Sequence, residues 1–288
     1  MNLSRNQKIC LREFIPEKVL CNDDASKSYD LDVVDDGIHL MFSYFTDIHN
    51  QTGKVGRKER NLLIPKFIKR NKETFEVLGL LQAEMGKQQD GKIVFCNHEY
   101  QIINEVIKWF EKEFDFSKDR WKWYIKVNIN EPLSQDYKKE IENKVIKHWI
   151  EKTGLHLEQA YPKKVSYIKN TKNKKLKVCD YGTLIIECRK NLFSQVIKNM
   201  VKNLFSNILS YNNNEIRAFM KGIIAGESNV EIHLADKRYR VFITAKESSE
   251  RKLFQDCLKR LGIGSIQNKD YKSIIMSRTA ALKCGACS

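Results

Sequence analysis

The apolar positions of this chain recur with two periods, one typical of strands and one typical of helices. Residues 121–128 alternate strictly between apolar and polar side chains, which predicts a half-buried strand. Further strands are predicted at 92–96, 164–169, 183–188, 230–234, 239–245, 264–268 and 271–277. Apolar residues three and four positions apart predict amphipathic helices at 38–48, 98–114, 134–152, 191–209, 214–227 and 247–261. The sequence also predicts a hairpin whose first strand is 164–169, with a basic tip at 170–175 and a second strand from residue 176 onward.

Two short stretches within these elements match each other. Residues 77–86 and 220–229 share the order small residue, two large aliphatic residues, one variable residue, small residue, Glu. The small residues are four apart and therefore lie on one face of a helix. Glycine inside a helix costs about 1 kcal/mol relative to alanine, so its presence predicts close packing against another backbone. The predicted helix-interface residues are Gly79, Ala83, Gly222 and Gly226.

A carboxylate directly follows the last small residue of each stretch, namely Glu84 and Glu227. The C-terminal end of a helix is negative and disfavours an anion. If the two helices pack on each other, the two carboxylates also repel, and a divalent cation such as Mg²⁺ would relieve both effects. The plainer alternative is two unrelated buried helices, each with an ordinary surface glutamate.

The two stretches resemble the signature helices of the LAGLIDADG homing endonucleases in their single-chain, two-repeat form, from about Arg57 to about Ser277. The resemblance implies that the two helices pack at a pseudo-twofold axis. It also implies that Glu84 and Glu227 bind Mg²⁺, each beside one scissile phosphate. The chain departs from the family motif at four positions: Gln82 and Ala225 replace its first Asp, and Met85 and Ser228 replace its final Gly.

The same resemblance implies an α+β fold of two pseudo-symmetric αββαββα repeats with antiparallel, saddle-shaped sheets. Residues 1–56 would form a small N-terminal extension of unknown role. Residues 57–209 would form the first repeat, with a helical insertion near 134–152, and residues 210–288 the second. The predicted helix after the acid begins 98 − 84 = 14 residues later in the first repeat and 247 − 227 = 20 later in the second. The first hairpin is therefore expected to be shorter.

The polar face of the alternating strand and several basic positions are the predicted contacts to DNA. Lysine, arginine and hydrogen-bonding side chains on such a face suit phosphates and base edges, although most half-buried strands simply have a solvated face. The candidates are Lys122, Tyr124, Lys126, Asn128, Lys172 and Lys174 in the first repeat and His233, Arg238, Arg240, Lys269 and Lys272 in the second.

Composition adds a charge argument. The 288 residues have a net charge of +15, of which residues 1–50 contribute −4 and the remainder +19. Such a bias favours a polyanionic partner, or only solubility.

The eight cysteines show no disulfide framework, and no role is assigned to Cys284 and Cys287 in the terminal CxxC. No apolar run reaches the ~18 residues that span a membrane, and no secretory signal is present. We expect an intracellular, cytoplasmic protein, with an organelle as the alternative location, that is a monomer with an internal pseudo-twofold axis.

The sequence therefore predicts a site-specific, Mg²⁺-dependent endonuclease of homing type that cuts double-stranded DNA. The alternative is a non-cleaving protein of the same fold that binds DNA or RNA, such as a maturase-like splicing helper or a transcription regulator. A third class is an interaction protein whose acidic N-terminal segment binds a partner or masks the basic surface.

Overall fold

The computed structural model describes residues 7–21, 27–49, 55–86, 91–129, 132–169, 181–233, 238–245, 247–268 and 273–277. Its helices are α1 (Lys72–Glu84), α2 (Tyr100–Phe114), α3 (Gln135–Thr153), α4 (Asn191–Ser206), α5 (Asn213–Glu227) and α6 (Ser248–Arg260). Its strands are β1 (Lys8–Cys10), β2 (Lys18–Leu20), β3 (Ser28–Asp30), β4 (Asp32–Asp35), β5 (His39–His49), β6 (Val55–Pro65), β7 (Phe67–Lys69), β8 (Ile93–Asn97), β9 (Lys122–Ile129), β10 (Ala160–Lys169), β11 (Thr183–Cys188), β12 (Ser228–His233), β13 (Arg238–Thr244), β14 (Ile266–Asn268) and β15 (Ser273–Ser277). No helix among the described residues is long and apolar enough to cross a membrane.

Packing divides the chain into two compact units. The motif-helix unit comprises residues 1–9, 69–84 and 200–288, and the aromatic-core unit comprises residues 10–68 and 85–199. Helix α1 thus packs with the second half of the chain. The division by packing differs from the predicted boundaries at residues 57 and 210, which stay a prediction about the repeats.

The motif-helix unit combines α1, α5 and α6 with an antiparallel sheet of order β12-β13-β15-β14. The ring of Phe205 lies 6.1 Å from that of Phe219 on α5 and 5.8 Å from that of Phe254 on α6. Burial of these aromatic side chains stabilises the helices against each other. The predicted helices at 214–227 and 247–261 are both confirmed.

The aromatic-core unit contains a sheet of order β10-β9-β11-β8. Strand β11 pairs antiparallel with β8 and β9, whereas β10 pairs parallel with β9. A parallel neighbour needs a crossover connection, and α3 supplies it as the helix of a β9-α3-β10 unit. The apolar face predicted for 121–128 is confirmed, with Trp121, Trp123, Ile125 and Val127 all buried.

The core beneath this sheet is built from aromatic rings. Phe116 stacks on Phe193 with ring centroids 5.4 Å apart, and Phe110 meets Trp121 edge to face at 5.2 Å. Such pairs are favoured because the positive edge of one ring meets the negative face of another. These rings anchor α2 and α4 to the sheet.

The predicted α+β class with two like halves is confirmed. In the second half, α5 is followed by β12 and β13, by α6, and by β14 and β15. In the first half, α1 is followed by β8, by α2, and by β9 and β11, with α3 and β10 inserted between the last two strands. The shorter connection predicted for the first half is also confirmed, because α2 begins 100 − 84 = 16 residues after Glu84 and α6 begins 248 − 227 = 21 residues after Glu227.

The prediction of a helix at 38–48 is wrong, since β5 occupies this segment and pairs with β6 along its whole length. The apolar residues have a period of two as well as one of three to four. Leu40, Phe42 and Tyr44 are buried, whereas Met41 and Phe45 are 40% and 50% exposed. Long-range pairing with β6 decides between the two periods, because a two-sided strand buries one set of side chains completely.

The predicted hairpin from residue 164 onward is also wrong in its pairing. Residues 164–169 do form a strand, as part of β10, but β9 lies between β10 and β11 in the sheet. The predicted tip and the residues that follow it, 170–180, lie outside the described part of the chain.

Candidate two-carboxylate centre

Helix α1 begins with a side-chain cap and ends at an acid. The Asn71 Oδ1 atom accepts a hydrogen bond from the Thr74 backbone N–H at 2.9 Å, which satisfies one of the free donors of the first turn. Its apolar residues Val77, Leu78, Leu80 and Leu81 are fully buried, and Glu84 is its last residue.

Two glycines allow α1 and α5 to touch through their backbones. A Cβ atom on Gly222 would lie 2.8 Å from the Leu80 backbone nitrogen and 3.0 Å from the Gly79 carbonyl carbon, and closer still to the Glu76 carbonyl oxygen. A Cβ on Gly79 would overlap the carbonyl oxygen of Phe219. Both positions therefore require glycine.

The two helices run parallel. Gly79 meets residues 219–222, and further along, a Cβ on Gly226 would lie 2.6 Å from the Ala83 Cβ and 3.1 Å from the Glu84 Cγ. Contacts thus advance in the same direction along both helices. Because α5 ends at Glu227, both helices present their final glutamate at the same end of the pair.

The opposite end of the pair is held by an ion pair. The Arg70 Nε and Nη2 atoms donate to the two oxygens of Glu215 at 2.7 and 3.0 Å, a bidentate arrangement. Hydrogen bonding to Glu215 raises the pKa of Arg70, and its guanidinium lies 5.1 Å from the Tyr211 ring centroid. A second ion pair, between Lys221 and Glu76, also links the helices.

The carboxylate end has the electrostatics that favour a cation. Glu84 and Glu227 are half-buried, and the Gly226 Cβ position would lie 3.8 Å from the Glu84 Oε1 atom, one residue before Glu227. Two negative helix ends meet there. Within the described ranges, no group of three or more His, Cys, Asp or Glu side chains is arranged to hold a metal ion. Two carboxylates with water ligands would nevertheless suit Mg²⁺, which usually keeps several waters.

Sequence reasoning missed a hydrogen bond beside this end. Gln82, which stands where the family motif has Asp, donates from Nε2 to the buried Glu250 of α6 at 3.1 Å. An aspartate at residue 82 would meet a second carboxylate there. The equivalent residue of the other helix, Ala225, is exposed. Helical spacing places Glu250 on the buried face of α6 with Phe254 and Cys257, but nothing in the sequence identifies Gln82 as its partner.

The predicted DNA contacts of the first repeat lie on the polar face of β9. Lys122 is exposed, and Tyr124, Lys126 and Asn128 are half-buried. The Lys126 ammonium lies 5.7 Å from the Tyr124 ring centroid, a cation–π contact.

The same face includes an acidic centre that the sequence analysis did not predict. The buried carboxylate of Glu187 accepts a hydrogen bond from the Tyr161 hydroxyl and another from Arg189 Nε at 3.2 Å. Burial and the bond to Glu187 raise the pKa of Tyr161. The positive charge of Arg189 is thus partly neutralised, and this face is less basic than its lysines alone indicated.

The predicted contacts of the second repeat are only partly described. Arg240 is half-buried on β13, and His233 and Arg238 are the last residue of β12 and the first of β13. Lys172, Lys174, Lys269 and Lys272 lie outside the described residues.

Comparison with known proteins gave matches among solved structures only. No protein-family model matches the chain, and none of the curated proteins does. A structure of I-DmoI in complex with DNA and Mn matches 75% of this chain and 97% of its own, with 12% identity and a TM-score of 0.40. The N-terminal LAGLIDADG domain of DUF199/WhiA matches 75% and 81%, with 13% identity and a TM-score of 0.38. A mesophilic variant of the homing endonuclease I-DmoI matches 75% and 97%, with 13% identity and a TM-score of 0.33.

These matches agree with the resemblance that the motif residues indicated. The packing of α1 on α5 and the two sheet orders define the fold of this chain.

Proposed function

We propose that this chain is a LAGLIDADG protein that cuts double-stranded DNA at a specific site, as a metal-dependent endonuclease of homing type. The observation that carries the proposal is the parallel packing of α1 and α5 through Gly79, Gly222 and Gly226. This packing presents Glu84 and Glu227 at one end of the helix pair. A pair of acids at paired helix ends suits the cutting of two strands, one beside each acid.

The residues present fit a hard divalent cation. Glu84 and Glu227 would hold Mg²⁺ through their carboxylate oxygens, with water completing the coordination. When bound, the ion supplies a water of lowered pKa and a positive charge beside the leaving oxygen. The two helix ends contribute their negative dipoles, which also favour a bound cation.

The polar face of β9 would hold the nucleic acid. Lys122 and Lys126 would neutralise phosphates, and Tyr124 and Asn128 would donate and accept hydrogen bonds at base edges or sugars. Arg240 on β13 would do the same in the motif-helix unit. We propose that one chain suffices for both halves and that the protein acts as a monomer.

The test is cleavage of a randomised-target DNA library with Mg²⁺ and, separately, with EDTA. The Glu84→Gln/Glu227→Gln variant should bind the selected target but leave it intact, because it keeps the side-chain size and loses both charges. Glu17→Gln/Glu140→Gln, which alters two exposed glutamates elsewhere, should cut normally. Equal cutting by both double variants would exclude a role for Glu84 and Glu227.

A second outcome would favour the non-cleaving alternative. If the wild type binds DNA with a steep salt dependence but never cuts it, the scaffold serves binding alone. Parallel binding measurements with duplex DNA and with folded RNA would then separate a transcription regulator from a maturase-like splicing helper.

A further inference from the structure

Strand β6 forms one edge of the sheet β4-β5-β6, and half of that edge is unprotected. Natural edge strands are usually blunted by charge or proline, because unpaired backbone groups invite another strand. Residues 57–60 of β6 are all charged and Pro65 ends the strand, but residues 61–64 read NLLI and contain neither a charge nor a proline. The edge strand β10 offers a contrast, since it is guarded by Pro162 and several lysines.

The backbone of Leu63 points out of this edge. The Lys66 N–H donates to the Ile38 carbonyl at 2.8 Å, so opposite residues at even positions of β5 and β6 exchange hydrogen bonds. Leu63 lies opposite Met41, between two such pairs, and its N–H and C=O therefore point away from β5. No hydrogen bond to either group is found in the described part of the chain.

The odd positions of β5 agree with this assignment. The His39 carbonyl accepts from the Asp36 N–H at 3.3 Å, on the side where β4 lies. Pro65 is at an odd position of β6 and has no N–H to lose, which suits an outward-facing residue.

A groove runs along the unprotected part of the edge. Its volume is about 620 Å³, and residues 61–65 line it as one continuous segment. The facing residues are 112–116 at the end of α2, with Arg120, Lys190 and Phe193. Leu63 is 58% exposed, so an apolar side chain is available beside the free backbone groups. The volume lies in the range of about 300–1,000 Å³ that is typical of binding sites.

The exposed side chains of the groove are mainly cationic, which favours an acidic occupant. Lys112, Arg120 and Lys190 are exposed, whereas Asp115 is the exposed acid of the facing segment and Glu113 is buried. We propose that this groove binds an extended peptide segment of a partner protein, with alternating apolar and acidic side chains, as an added strand alongside β6. Backbone hydrogen bonds at Leu63 would fix the strand, and the three cations would select its acids.

The test uses a seven-residue peptide of alternating Glu and Val, a Lys and Val counterpart, and a Glu and Val peptide that is N-methylated on the residues facing β6. The full-length protein should bind the first peptide, with slower amide exchange at Leu63. N-methylation should weaken binding about tenfold or more, since it removes the strand hydrogen bonds, and the lysine peptide should bind at least about tenfold more weakly.

Two variants locate the binding. Leu63→Pro removes the outward N–H without removing a bond to β5, and Lys112→Glu/Lys190→Glu reverses the charge of the groove. Both variants should weaken binding of the acidic peptide about tenfold or more. The control Lys139→Glu/Lys202→Glu, which alters exposed lysines elsewhere, should leave that binding unchanged.

Three results would overturn the proposal. The first is no binding of the acidic peptide, or equal binding of its N-methylated form. The second is binding of duplex DNA by the wild type that only the groove variants lose, since the occupant of the groove would then be nucleic acid. The third is concentration-dependent self-association that Leu63→Pro abolishes, since the occupant would then be a second copy of this chain.

Discussion

The two larger sheets follow one plan but differ at both edges. Read from the strand that follows the motif helix, the motif-helix unit has β12-β13-β15-β14, and the aromatic-core unit has Met85-β8-β11-β9-β10. Strands β8, β11 and β9 thus correspond to β13, β15 and β14, with the same antiparallel pairings. The inner strands are preserved because each must pair on two sides.

At the first edge, strand β12 pairs with β13 over six residues, whereas the described residues of the first half show the Met85–Phe95 bridge and a 2.9 Å bond from Gly86 N–H to the Val94 carbonyl. At the other edge, the aromatic-core unit has the additional strand β10, which the β9-α3-β10 crossover supplies. Edge strands can be lost or added because only one neighbour depends on them.

The largest expected effect tests whether the added strand belongs to the core of its half. Trp149 on α3 is 1% exposed, and its indole N–H donates to the Tyr181 carbonyl at 2.8 Å. Trp149→Ala should lower the free energy of unfolding by about 3–5 kcal/mol. Urea denaturation checks this, with Tyr137→Ala, which alters a 52% exposed residue of the same helix, as the control. If Trp149→Ala lowers the free energy of unfolding as little as the control does, α3 is not part of the core of its unit.

The next effect tests whether the two acids are equivalent although the sheets are not. On the proposed function, Glu84→Gln and Glu227→Gln should each slow the cutting of one strand by about 10²–10³-fold, and of opposite strands. Strand-specific end labelling of a selected target measures this. If either single variant cuts neither DNA strand, the two acids form one shared catalytic centre.

The shared element of both halves is the α1–α5 contact. Gly222→Ala should destabilise the protein by about 1–3 kcal/mol, because the new methyl group meets backbone atoms of α1. Gly264→Ala is the matched control, since a Cβ there would meet nothing within 4 Å. Thermal unfolding compares the two, and an equal melting temperature for both variants would contradict the close packing.

A smaller effect tests the proposed nucleic-acid contacts on β9 against those on β13. Lys122→Ala/Lys126→Ala should reduce the slope of log binding constant against log salt by about 1.8, for two lost phosphate contacts. The control Lys139→Ala/Lys147→Ala alters two lysines of α3 and should leave the slope unchanged. An unchanged slope in the first variant would remove β9 from the interface and leave the role to β13.

The smallest effect is a pH dependence confined to the insertion. Burial and the nearby Lys152 lower the pKa of His148, whose ring stacks on Tyr181 at 3.6 Å. The unfolded chain therefore binds this proton more readily, and stability present above pH 6.5 is lost as the pH falls below it. His148→Phe keeps the stack and should remove a decrease in melting temperature of no more than about 2 °C between pH 7.5 and 5.5. An identical decrease in the variant would assign the effect to other groups.

The motif helices and β9 could be predicted from sequence because their information is local. Gly222 and Gly226 are spaced for one helix face, and residues 121–128 alternate without exception. The segment 39–49 could not, because both periods fit it and only pairing with β6 separates them. The Gln82–Glu250 bond and the Tyr161–Glu187 bond could not be predicted either, because each joins residues that are distant in sequence.

The α1–α5 contact also determines when the protein can fold during its synthesis. Helix α1 ends at residue 84 and α5 begins at residue 213, so 212 − 84 = 128 residues lie between the partners. At about 5–20 residues per second, roughly 6–26 s of translation pass before α5 exists. Through that interval, the aliphatic side chains of α1 have no partner helix to bury them. A nascent chain of this protein therefore has an apolar helix that chaperones can bind, and a truncated chain would keep it exposed.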